Sequence, residues 1–176
     1  MRIFYSELAE NPAYYSFGYS VYGVLEEGDT TADAFESGFL PCVIAADQPK
    51  GLMYQTRGVR VLASEFTRRH YHHRVVRKAE SLGELETVVH PLKEFAFDTS
   101  VQDFFLRYFT FRFGKESMSR ERLLAIVASG WITHVSEFRI AGKPVAYMLE
   151  HHSEGLIHVW YQAYEKKYEH AHLGSY

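Results

Sequence analysis

"WITHVSEFRIAGKPVAYMLEHHSEGLIHVWYQAY", residues 131–164, decides the fold. Three runs rich in β-branched and aromatic residues, 131–140, 143–152 and 155–164, are separated by Ala141-Gly142 and Glu154-Gly155. Glycine-bearing dipeptides between such runs signal tight turns, so the segment predicts an antiparallel meander. Upstream, Ser100 and Asp103 match a capping box ahead of Phe104, Phe105, Tyr108 and Phe109, predicting a helix that runs to about Phe113. "SRERLLAIVASG", residues 119–130, reads as a second helix with Gly130 at its C-terminal stop. Two helices ahead of a meander make an α+β domain.

The N-terminal part carries the same signals more weakly. "RIFYSEL" (2–8) and "YYSFGYSVYGVL" (14–25) read as strands. "DTTADAFESG" (29–38) offers an N-cap, a short amphipathic turn and a terminating glycine. "RGVRVLASEF" (57–66) alternates well enough to predict a strand. No repeat or Pro/Gly/Ser-rich linker divides the 176 residues, so a single domain spanning 1–176 is expected.

Composition narrows the function classes. With 47% hydrophobic and 16% aromatic residues the chain is no disordered segment. No apolar run approaches the roughly 18 residues of a membrane span. "MRIFYSELAENP" lacks the long apolar stretch of a secretory signal, and the expected location is the cytoplasm. Cys42 is the only cysteine, which excludes an intrachain disulfide and any multi-cysteine zinc or iron–sulfur site. The net charge of −3 is unevenly spread: residues 1–50 carry −6, 51–80 carry +5 and 81–176 carry −2. One basic island in a mildly acidic chain can meet a phosphate backbone at one place.

That island centres on "TRRHYHHRVVRKAE", residues 67–80. Read as a helix over 68–79 capped by Thr67, it gathers Tyr71, Val75, Val76 and Ala79 on one side. Arg69, His70, His73, Arg74, Arg77 and Lys78 then spread over the opposite half. Read as a strand, it scatters its charges over both faces. Three uses are open: a solvated amphipathic face, a polyanion site, or a metal site. Exposed helices usually mix signs to gain i,i+4 pairs, yet no Asp or Glu lies between Arg68 and Lys78. Like charges on one arc repel unless an anion covers them, and a phosphate ladder is the natural anion. His70 and His73 have no carboxylate beside them in sequence, and a cationic neighbourhood disfavours a divalent ion, so no metal is expected.

These residues resemble a family. Arg74-Val75-x-Arg77-Lys78 behind "GVRVLASEF" is similar to the segment that aminoacyl-tRNA–protein transferases carry after their N-terminal region, where a strand ending in Phe precedes a basic run. His73 stands where that family has the first of its paired basic residues. "ADAFESGFLPC" resembles the upstream helix ending in Gly-Phe. "HVSEFRIAGKPVAYMLEHHSEGLIHVWYQAYEKKYEHAHLGSY" is similar to the last strands, with Tyr164, Tyr168, His170, Leu173, Gly174 and Tyr176 matching and Glu165 in place of an Asp. Lys166-Lys167 replaces a Pro and its neighbour, and the family's cysteine cluster is missing, "QPKGLMYQTR" standing in its region. The chain ends at Tyr176 where the family continues with a helix and a strand, which implies a short or C-terminally truncated form.

The resemblance covers about half the chain. It implies a fold like that of the Gcn5-related N-acetyltransferases: a mixed, largely antiparallel sheet flanked by helices. It implies aminoacyl-tRNA as donor and the α-amine of a protein N-terminus as acceptor, with no separate cofactor; that no metal and no membrane partner are expected rests on the composition above. By likeness to the arginyl branch, the amino acid would be arginine and the acceptor residue Asp or Glu. Arg69, Arg74, Arg77 and Lys78 would meet the tRNA. Glu165 and Tyr164 are the candidates for orienting or deprotonating the amine, against the plainer reading of a surface carboxylate and a packing tyrosine. Two other functions remain. An acetyl-CoA-dependent N-acetyltransferase needs a glycine-rich turn for the pyrophosphate, where "HAHLGSY" has one glycine and the bulky Tyr176. A non-catalytic relative would bind tRNA or peptide only.

Overall fold

The computed structural model describes residues 1–7, 19–42, 51–56, 61–153 and 155–171. It is α+β, with two four-stranded sheets and a few helices. Two compact units result, residues 1–60 with 153–155, and residues 61–152 with 156–176. The one mixed sheet expected from the sequence is therefore two sheets.

In the first unit β1 (Arg2–Glu7), β2 (Tyr19–Val24), β3 (Phe39–Pro41) and β4 (Leu52–Gln55) stand in the order β1-β2-β4-β3, all pairs antiparallel. Met53 and Phe39 are buried on one face. Helix α1 (Thr31–Glu36) is capped by Thr30, whose hydroxyl accepts the Asp33 N–H at 3.1 Å. Gly38, at φ 82°, then turns the chain into β3.

The second unit opens with a 3-10 turn at Ala63–Glu65 and helix α2 (His70–Glu80). The strand expected over 57–66 is not formed in its described part, 61–66; residues 57–60 lie outside the described residues. Its alternation has no partner strand, and Val61, Leu62 and Phe66 are exposed. Next come β5 (Leu85–Pro91), α3 (Thr99–Phe113), α4 (Arg120–Ala128), β6 (His134–Ile140), β7 (Lys143–Ser153) and β8 (Leu156–Tyr164). The sheet order is β5-β6-β7-β8, with β5–β6 and β6–β7 antiparallel. Helix α3 ends at Phe113 as its pattern predicts, but its cap is Asp98 and not Ser100. The Asp98 carboxylate accepts the Ser100 and Val101 N–H groups at 2.9 and 3.1 Å, so Ser100 becomes the second helical residue.

α3 lies on the face of the sheet that carries Tyr147. Phe104 meets the Tyr147 ring edge-on at 5.0 Å, and Tyr108 and Phe109 reach Tyr164 and Tyr161. Phe105, Leu123, Ile126, Val135 and Leu149 are fully buried and form the centre of this unit. The β6–β7 hairpin turns on Ala141 and Gly142, both at positive φ (49° and 72°). Alanine is strained there, whereas asparagine tolerates it. Ala141→Asn is expected to raise stability by about 1 kcal/mol, read as a shift in the denaturation midpoint.

Candidate nucleic-acid interface and adjoining cleft

The basic stretch is a helix, and its two faces separate as the periodicity predicts. Val75 and Ala79 are buried and Val76 is half-buried. Arg69, His70, His73, Arg74, Arg77 and Lys78 are all exposed. Tyr71 departs from the expected apolar stripe, being 46% exposed. The cap also differs. Phe66 and Arg69 are extended, residues 67–68 are not helical, and the helix begins behind Arg69 instead of Thr67. The Arg69 N–H donates to His72 Nδ1 at 2.9 Å, so an imidazole closes the first turn. Among the described residues no carboxylate pairs with Arg69, Arg74, Arg77 or Lys78. Among the described residues the arc is a cationic surface without counter-charges.

Its buried side seats the helix. Ala79 packs with Ile140 and Val145 at the hairpin end of β6 and β7, and Tyr164 and Tyr168 pack against the same cluster. The Glu165 N–H donates to Val145 O at 2.9 Å, and the chain then winds into a 3-10 segment, Lys166–Ala171. The basic helix and the end of β8 are thus mounted on one piece of core. Residues 172–176, including Leu173, Gly174 and Tyr176, lie outside the described residues, as does the side chain of His170.

Tyr164 and Glu165 line a cleft of about 220 Å³ with Phe104, Arg107, Tyr108, Phe111 and Lys166. Arg107 NH2 lies 3.9 Å from Glu165 Oε1, and both side chains reach solvent. Lys166 Nζ sits 4.4 Å from the centre of the Phe111 ring. Tyr164 packs its ring on Tyr108 at 4.8 Å. Burial, and after it the Tyr164 neighbour, push the Tyr108 phenol up to about 12, so it stays a neutral hydroxyl near neutral pH. The cleft therefore offers one carboxylate, two cations and aromatic walls. Arg107 was not among the residues singled out by sequence, and Lys166 entered only as a departure from the family's pattern. Phe104, Arg107 and Phe111 recur at i, i+3, i+7 on α3, and that mixed stripe was the available signal.

Two buried polar networks on β6 and β7 were likewise unforeseen. Glu137, its side chain 6% exposed, takes Arg139 NH2 at 2.7 Å and stands 3.2 Å from His90 Nε2. A bulge between Phe138 and Arg139 accompanies this pairing. Tyr147 Oη donates to Glu137 Oε1 at 3.4 Å. Burial alone would raise the Glu137 carboxyl, but hydrogen bonds to Arg139 and His90 outweigh it and hold the group below its ordinary value. On the neighbouring positions Glu150 Oε2 accepts Ser136 Oγ at 2.9 Å and lies 2.8 Å from His152 Nε2. The His152 ring stacks on His134 at 3.9 Å, and His134 Nδ1 meets Thr133 Oγ1 at 2.9 Å.

Burial, then the adjacent His152, lower the His134 imidazole below its usual 6.5, with Glu150 opposing. The unfolded chain then binds more protons below that pH. Stability is expected to fall as the pH drops below about 6.5, and His134→Gln to flatten that limb of a denaturation-midpoint profile. Among the described residues, no group of three or more His, Cys, Asp or Glu side chains is placed to hold a metal ion. No helix among them is long and apolar enough to cross a membrane. Compared with protein-family models and with curated proteins, the chain matches none.

Proposed function

We propose that the protein acts as an aminoacyl-tRNA–protein transferase-like enzyme, moving an amino acid, arginine by resemblance, from charged tRNA to the α-amine of a protein N-terminus. The four-stranded sheet of the second unit, with α3 across one face, would be its relative of the Gcn5-type N-acetyltransferase core. One observation carries the reading: a basic arc with no carboxylate partner among the described residues and a cleft holding Glu165 and Tyr164 share the Ala79–Ile140–Val145 seat. On this reading Arg69, Arg74, Arg77 and Lys78 hold tRNA phosphates, and the cleft receives the aminoacyl end.

The chemistry asks little of side chains. An aminoacyl ester is already activated. The acceptor ammonium loses a proton to a base, its nitrogen attacks the ester carbonyl, an amide C–N bond forms, and the ester C–O bond breaks as the nitrogen's surplus proton passes to the leaving oxygen, releasing the ribose hydroxyl. Glu165 is the carboxylate able to take that proton, Arg107 stands 3.9 Å from it and can orient it, and Tyr164 walls the cleft. Glu165→Gln keeps shape and loses the base. It is expected to lower the transfer kcat about a hundredfold while tRNA affinity stays within about twofold. A loss of tRNA affinity equal to the loss of rate would contradict the assignment of Glu165 as base.

A further inference from the structure

The basic arc of α2 does not stand alone. Phe66, in the extended segment before the helix, packs on the His72 ring at 5.1 Å. His72 in turn meets Tyr71 edge-on at 5.8 Å, and Arg74 lays its guanidinium over the Tyr71 ring at 5.5 Å. The four groups form a continuous ridge of π surface. Phe66 is 51% exposed and Tyr71 46% exposed. The capping bond from the Arg69 N–H to Nδ1 fixes the His72 ring between them. Exposed rings rigidly set beside unpaired cations are the arrangement that receives unstacked nucleobases.

We infer that this ridge is a base-stacking platform, and that the partner of α2 is a nucleic acid with an unpaired segment beside its phosphates, not a continuous duplex. The inference rests on the reading of α2 as a nucleic-acid surface, and not on aminoacyl transfer. Phosphates meet Arg69, Arg74, Arg77 and Lys78, while the flanking bases stack on Phe66 and on the Tyr71–Arg74 pair. Charge favours a polyanion, since no Asp or Glu lies between Arg68 and Lys78. An anionic membrane is the competing partner for a basic helix with exposed apolar neighbours. Interfacial helices, however, bury their apolar face in the bilayer. Here that face, Val75 and Ala79, is already buried in protein, which leaves ring surfaces and cations to meet a ligand.

Stacking and phosphate contacts separate by salt. Losing a ring changes affinity without releasing fewer counterions, whereas losing a cation changes the slope of log Kd against log salt. The test compares a short single-stranded RNA of mixed sequence, the blunt duplex of the same length, and anionic phosphatidylserine vesicles, each titrated into the full chain. The wild type is expected to prefer the single strand. Phe66→Leu, which keeps apolar packing but removes the ring, and Tyr71→Leu are each expected to weaken single-strand binding about tenfold with an unchanged salt slope. Duplex affinity and the thermal midpoint should stay as in the wild type. Silent Phe66→Leu and Tyr71→Leu variants in a protein that still binds RNA overturn the platform and leave the phosphate reading standing. Binding of vesicles but of neither RNA overturns both. Loss of binding only together with a lowered thermal midpoint assigns the ridge to folding and also overturns the platform.

Discussion

Replacing both Arg74 and Arg77 by glutamate is expected to weaken RNA binding about a hundredfold at 0.1 M salt while leaving the fold intact. Each neutralised phosphate contributes roughly 0.9 to the slope of log affinity against log salt, so at 0.1 M one contact is worth nearly a decade relative to 1 M salt. Two contacts account for most of two decades, and the added carboxylates repel the rest of the ladder. Both side chains are exposed and pair with no carboxylate among the described residues, so reversing them breaks no ion pair there. The slope itself should fall by about 1.5 to 2. A double variant with wild-type affinity and slope at physiological salt would remove α2 from the interface.

The largest effect on stability is expected at Glu137. Its side chain is nearly buried and holds Arg139, His90 and Tyr147 about one carboxylate. Glu137→Ala leaves a partly buried guanidinium without its counter-charge, a change that costs about 3 kcal/mol or more. For a chain of this size that corresponds to a thermal midpoint lower by about 10 °C. Glu137→Gln keeps volume and one acceptor oxygen, and should lose about half as much. The pH dependence follows from the direction of the shift. The folded carboxyl titrates below its ordinary 4.5, so the unfolded chain takes up the proton first. The stabilisation is fully present above that pH and is lost as the pH falls through the folded value. In Glu137→Gln this acid limb should flatten, while the limb set by His134 nearer neutrality remains. Because burial pushes the Tyr147 phenol up to about 12, the donor it contributes persists across this whole range. An alanine variant as stable as the wild type would show that Glu137 is dispensable to the sheet.

What the sequence disclosed, and what it concealed, follows from where the physics is local. Gly142 and Gly155 at positive φ announce their turns, and the meander between them was readable for that reason. α2 was readable because charge and apolarity separate at a helical period, and burial of Val75 and Ala79 follows that split. β5 escaped because Glu86, Thr87 and Val89 are exposed, which leaves a weak alternation ending in Pro91. β3 and β4 are too short, at three and four residues, to show a pattern. The caps of α2 and α3 were misplaced by two residues, since Asp98 and His72 satisfy the first N–H groups ahead of the residues the motifs favour. The cleft was only half visible. Tyr164 and Glu165 came from resemblance and Lys166 follows them in the chain, whereas Arg107 joins them only through the packing of α3 on the sheet. The Glu137 and Glu150 networks were only partly written in the sequence: Arg139 and His152 lie two residues along the same strands, but His90, Tyr147 and Ser136 reach the carboxylates from neighbouring strands.

Transfer of labelled amino acid from charged tRNA tests the central claim most directly. Purified protein is incubated with arginyl-tRNA and peptides beginning with Asp, Glu or Ala, and in parallel with labelled acetyl-CoA and the same peptides. The account expects label on the α-amine of the acidic-start peptides from arginyl-tRNA, loss of that label in Glu165→Gln, and none from acetyl-CoA. Saturable acetyl transfer, with no incorporation from any charged tRNA, would contradict it and make the protein an acetyl-CoA-dependent N-acetyltransferase.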